Sequence, residues 1–214
     1  MISIKYLFYT IIVPGSIFIP LLVFVPRYKT AKKEERLLFF YLITAGLINL
    51  AAIILSLYGR PNLPLLHLYT IMEATFLLGY FQLIFKEPFI KKAIGLIMVL
   101  FPIICILNFS FLQSLYTFNT YTRPLEAILI TFFCLLYLYK SGFAEDWIKQ
   151  PTSWFNAGIL IYFPAAFIIF ILSNYMLASK NVAMNTIVWN VHAALVLLMY
   201  IVWARGFRLA GNGR

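Results

Sequence analysis

Seven long apolar runs constrain this chain more than any other feature. They fall at roughly 4–26, 36–58, 63–85, 92–113, 122–139, 154–175 and 186–204. Each holds about 18 to 24 residues, enough at a rise of about 1.5 Å per residue to cross a hydrocarbon core of about 30 Å as a helix. Inside lipid a segment must satisfy its own backbone, and the helix does so without a partner. The expected fold is all-α: a polytopic membrane protein forming one seven-transmembrane-helix bundle over residues 1–214. The connections are too short to hold a separate soluble domain.

Composition agrees, because only 11% of the chain is charged while 63% is hydrophobic, too few charged groups to coat a water-soluble domain. The net charge of +10 then needs no nucleic acid. It follows from where the basic residues sit. Arg27, Lys29, Lys32, Lys33, Arg36, Lys86, Lys91, Lys92, Lys140, Lys149, Arg205, Arg208 and Arg214 fall on one side of the alternating runs, against Lys5, Arg60, Arg123 and Lys180 on the other. By the positive-inside rule this predicts an outside N-terminus and a cytoplasmic C-terminus in a plasma membrane, the inner membrane if the cell is bacterial. The lipid bilayer is the expected partner, and the basic face offers a surface to a cytoplasmic signalling partner.

Local signals refine the boundaries. Asn62 with Pro64, Thr122 with Pro124, and Asn185 with Thr186 suit the starts of the third, fifth and seventh helices. Pro14-Gly15, Pro102 and Pro164 fall inside runs and predict kinks. Ser141 to Ser153, with Trp147 and Trp154, reads as an interfacial segment anchored by two tryptophans, or as a docking surface. Cys105 and Cys134 lie within apolar runs and read as free packing thiols. The first run has no small-residue cleavage site behind it, so no cleaved leader is expected.

The chemistry concentrates in a few residues. Of seven acids, Glu34, Glu35, Glu87, Glu145 and Asp146 lie in connections, which leaves Glu73 and Glu126 inside apolar runs. An ionised group at such depth costs several kcal/mol unless it has a partner. Counting at about 1.5 Å per residue puts Glu126 about 5 Å, His67 about 6 Å, His192 about 9 Å and Glu73 about 15 Å below the outer helix ends. Tyr69 is four residues before Glu73 and shares its face, whereas His67 points about 120° away from it. Arg123 and Glu126, spaced i, i+3, suit a local ion pair.

These residues predict an outward-facing polar pocket built from His67, Tyr69, Glu73, Arg123, Glu126, Asn190 and His192. Each also has a local use: a capping box at Thr70-x-x-Glu73, an interfacial ion pair at Arg123–Glu126, a carbonyl-bonded imidazole at His67 or His192. A sensor or receptor-like module binding a small ligand, ion or proton fits the pocket and the topology. A membrane-embedded metalloenzyme is the first alternative. His67, Glu126 and His192 would hold Zn²⁺ or Fe²⁺, with the other glutamate as general base, although no paired-histidine motif is present. A small proton-coupled transporter using Glu73 is the second. Retinal is excluded because no lysine lies within a helix interior, and haem b is disfavoured by a single histidine pair.

Overall fold

Prolines and charged residues at the connections decide where the helices begin. The computed structural model describes residues 12–142, 146–179 and 181–211. In it a three-residue turn at Val13–Gly15 precedes α1 (Phe18–Phe24), which runs into a 3-10 turn at Val25–Arg27. There follow α2 (Lys33–Leu57), α3 (Leu63–Ile84), α4 (Pro88–Leu107, continued by a π turn at Asn108–Leu112), α5 (Thr122–Ser141), α6 (Pro151–Ala178) and α7 (Val182–Leu209). Pro64, Pro88 and Pro151 occupy the first turns of α3, α4 and α6, where no intrahelical donor is lost. Gly142 ends α5 at φ 54°, a conformation that glycine adopts without steric cost.

No strand occurs among the described residues, and five helices, α2, α4 with its π turn, α5, α6 and α7, are long and apolar enough to cross a membrane. The chain is a multi-pass membrane protein. With 22 residues α3 has the length, but it carries His67, Tyr69, Thr70 and Glu73 and falls outside that set.

Several boundaries differ from those expected. The first run is described only from Ile12, and instead of a kink at Pro14-Gly15 the helix breaks into a turn at Ser16, whose hydroxyl donates to the Val13 carbonyl at 2.6 Å. Because α2 begins at Lys33, Glu34 and Glu35 lie in its first turn rather than in a connection. Glu35 accepts the Lys32 backbone N–H at 2.8 Å, a use suited to a helix N-terminus. Pro151 starts α6 early, so Thr152 to Trp154 are helical, and Trp154 Nε1 donates to the Ile148 carbonyl at 2.9 Å. Glu145 lies outside the described residues. Asn181, not Asn185 or Thr186, caps α7 by accepting from Met184 N at 3.0 Å; Thr186 bonds back to Val182 within the helix.

Helix contacts close a ring in the order α1, α2, α3, α5, α6, α7 and back to α1, with α4 packed against α3 outside it. Toward the basic connections the ring interior is solid. Phe24, Tyr80, Phe81, Phe155, Phe163, Trp203 and Phe207 are all fully buried there. Gly158 on α6 lies so close to the Trp203 ring that a Cβ would overlap it, and a Cβ on Gly206 of α7 would stand 2.8 Å from Phe155. Trp203 Nε1 donates to the Phe155 carbonyl at 3.0 Å, which satisfies the one polar atom of that side chain. At this end Arg27 Nη1 also reaches the Ala210 carbonyl at 3.3 Å, tying α1 to the end of α7. Cys105 and Cys134 are buried and free, as their setting in apolar runs predicts.

Candidate functional site

Glu73 lies ten residues after the start of α3 and eleven before its end, near the middle of a helix flanked by α2, α4 and α5. It is 1% exposed, so an ionised carboxylate there must find its compensation from protein. Tyr41 of α2 and Tyr69 donate to its Oε1, the latter at 2.9 Å, and Arg123 of α5 pairs with its Oε2. Arg123 Nη1 also pairs with Glu126 Oε2 at 2.7 Å. The i, i+3 pair read from the sequence is therefore one half of a three-residue cluster, and it is buried rather than interfacial. Two carboxylates share one guanidinium, so the cluster carries a formal charge of −1, or is neutral with one proton.

Arg123 enters the first turn of α5, yet it reaches the centre of α3. Asn119 explains how. Its Oδ1 accepts from Thr122 N at 3.0 Å, Thr122 Oγ1 at 2.8 Å and Arg123 N at 3.2 Å, so it performs the capping expected of Thr122. Its Nδ2 donates to Thr70 Oγ1 at 3.2 Å. Thr70 is seven residues into α3, or about 10 Å along the axis, so the segment before α5 dips into the bundle. Phe118 is held there by two bonds with the Asn174 side chain of α6, at 3.1 and 2.9 Å. Thr70 therefore serves as an anchor within α3 and does not begin a capping box.

From Arg123 the network continues outward. Nη2 donates to the Tyr162 hydroxyl of α6 at 3.2 Å, and that hydroxyl lies 3.0 Å from His192 Nε2 on α7. The guanidinium also lies over the rings of Tyr69 and Phe170, 5.1 Å from each centroid. One connected set of polar groups thus joins α2, α3, α5, α6 and α7.

Of the residues singled out in the sequence, Tyr69, Glu73, Arg123, Glu126 and His192 meet in this network. His67 does not. Its Nε2–H donates to the Thr117 carbonyl at 3.2 Å, and its ring stands edge-on to Phe109. The 120° separation from Glu73 directs it toward the dipping segment. Asn190 is also apart, its buried Oδ1 without a partner. The proposed metal set of His67, Glu126 and His192 is therefore not assembled, and no cluster of three or more metal-binding side chains occurs among the described residues. The reason is geometric: the three come from separate helices, and each imidazole is already turned to its own oxygen partner.

Tyr41, Tyr162, Tyr200 and Asn119 were not anticipated. A tyrosine in an apolar run gives little warning, since its ring suits lipid-facing and buried positions equally. The signal available was need: Glu73 and Glu126 required more donors than Arg123 alone supplies.

Above the network, inside the helix ring, lies a cavity of about 340 Å³. Val13, Pro14, Asn49, Ala52, Asn62 and Leu63 form its collar, at the end of the bundle away from the basic connections. Leu66, Phe118, Phe170, Trp189, Ala193 and Val196 form the walls; Tyr69, Arg123, Tyr162, His192 and Tyr200 form the deep polar end. Neither glutamate lines it. The volume falls in the range of small-molecule sites, about 300–1,000 Å³. No protein-family model, curated protein or solved structure matches this chain.

Proposed function

We propose that this protein is a receptor-like membrane module that binds a small ligand in the ring cavity and reports its presence through the bundle. In this reading α3 and the first run also cross the membrane, giving seven passes. The N-terminus and the cavity mouth lie outside, and the basic connections face the cytoplasm. Enclosure of α3 by α2, α4 and α5 makes its polar side chains compatible with a membrane crossing.

The observation that carries this reading is the cavity ending on Arg123, which ties Glu73, Glu126 and Tyr162 together. A ligand touching Arg123 acts directly on bonds to α3 and α6, so occupancy has a route to helix positions. Differential contact of that kind is what a conformational response requires. The test compares transcript profiles of the wild type, a deletion strain and a strain carrying Ala193→Trp, which fills the cavity from α7. Expected is a shared change in the two altered strains under extracytoplasmic stimuli. A deletion that leaves every such response intact would overturn the reading.

A further inference from the structure

The head group of the ligand can be read from the donors left unspent around the cavity, an inference that rests on the ligand-binding reading above. A guanidinium has five N–H bonds. Arg123 spends three, on Glu73, Glu126 and Tyr162, which leaves two. Arginine can only donate, so the Tyr162 oxygen accepts from it. In the arrangement in which the Tyr162 hydroxyl donates to His192 Nε2, that nitrogen is the acceptor and the ring proton of a neutral His192 sits on Nδ1. Tyr200 lines the same cavity, and its hydroxyl has no hydrogen-bond partner among the described residues. Donors from α5 and α7 therefore converge on the deep end, and no carboxylate faces them.

Charge selects further. Arg123 is already matched by two carboxylates behind it, so it has no surplus positive charge to hold an anion. A cation would meet the guanidinium itself, which lines the cavity while the glutamates do not. With the cluster neutral through one shared proton, what remains is a neutral acceptor. The walls add shape: Tyr69, Phe118, Tyr162, Phe170, Trp189 and Tyr200 all line the cavity, with the Phe118 and Trp189 rings 5.4 Å apart and tilted by 32°. Such walls suit a planar ring, and Val13, Pro14, Ala52 and Leu63 of the collar suit a hydrocarbon tail.

We propose that the cavity binds a neutral lipid-soluble molecule with a carbonyl-bearing planar head and an apolar tail, a quinone-like amphiphile, its carbonyl oxygen accepting from Arg123, His192 and Tyr200.

The test uses three radiolabelled probes with the same ten-carbon tail and different heads: a decyl benzoquinone, decanesulfonate and decyltrimethylammonium. Each is titrated against the full-length protein in nanodiscs, with empty nanodiscs subtracted. Expected is saturable binding of about one decyl benzoquinone per chain, at least about tenfold tighter than either charged probe. Tyr200→Phe should weaken it about fivefold, as loss of one neutral hydrogen bond implies, while Leu96→Ala, on α4 outside the ring, should leave it unchanged. Tighter binding of the sulfonate or the ammonium probe overturns the proposal, as does decyl benzoquinone binding indifferent to both Tyr200→Phe and His192→Phe. Should no probe bind saturably while Ala193→Trp still reproduces the deletion profile, the head-group assignment fails and the receptor reading stands. If Ala193→Trp and the deletion are both silent, the receptor reading fails as well.

Discussion

The same two helices, α6 and α7, are built differently at their two ends. Near the basic connections Gly158 and Gly206 let the helices approach until Trp203 and Phe155 fill the space between them, and little polar chemistry is needed beyond the Trp203 indole bond. Near the other end Phe170, Trp189 and His192 stand between them, the chain segment before α5 enters, and a cavity of about 340 Å³ remains. Lipid is as apolar as a leucine core, so helices in a membrane gain most from close packing and from hydrogen bonds that lipid cannot offer. One end uses the first and the other end the second. A bundle held by packing closes up, and a bundle held by a branched polar network keeps an opening where its side chains diverge.

That contrast can be broken from either side. The largest effect is expected from Arg123→Gln, which leaves two buried carboxylates without their cation; breaking a buried pair costs about 3–5 kcal/mol. Unfolding titrated with SDS in mixed micelles should show the loss. Hydrogen exchange should place it at residues 117–126 and around Glu73, with the Phe155–Trp203 region still protected. Gly158→Ala should do the reverse. Its new methyl group meets Trp203 and Met199, both buried, and overpacking costs about 1–3 kcal/mol. Exchange should then rise around Phe155 and Trp203 first.

Smaller changes sharpen the picture. Asn119→Ala removes the acceptor that starts α5 and should cost about 0.5–2 kcal/mol, by analogy with other helix caps. Its effect should be larger on probe binding than on the aromatic end, since it frees Arg123 to shift. Tyr41→Phe and Glu73→Gln, alone and together, should show a coupling of about 0.6 kcal/mol, the usual size for hydrogen bonds between membrane helices. A coupling of zero would mean that Tyr41 only fills space. The least effect is expected from Lys140→Met, which removes a surface pair with Glu87 at 2.9 Å. Lys140 holds the Glu87 carboxyl below its ordinary pKa, so the pair stabilises above the unfolded carboxylate pKa and is lost as pH falls through the folded value. Being exposed, the pair is worth little, so the variant should melt only slightly below the wild type at pH 7, with that small gap narrowing as the pH falls toward 3.

Run lengths, the basic asymmetry and the isolation of Glu73 and Glu126 were all legible, because each depends on composition along one strand of chain. So was the Tyr69–Glu73 contact, a consequence of helical pitch. Less was visible where partners come from afar. Arg123 looked local, since Glu126 stands three residues on, and nothing in that spacing indicates Glu73 fifty residues away. The early start of α6 and α7 was hidden because polar residues such as Asn185 and Thr186 resemble caps in isolation; inside a helix Thr186 simply bonds back to Val182.

What the sequence by itself determined is a chain of apolar helices carrying two acids where lipid would not tolerate them unpaired. What only the tertiary structure decided is which helices form the ring, that α4 stays outside it, and that Arg123 serves both glutamates. The physical reason is that burial cost is a property of a residue and its depth. The compensation for it is a property of whichever side chains the packed helices bring within reach.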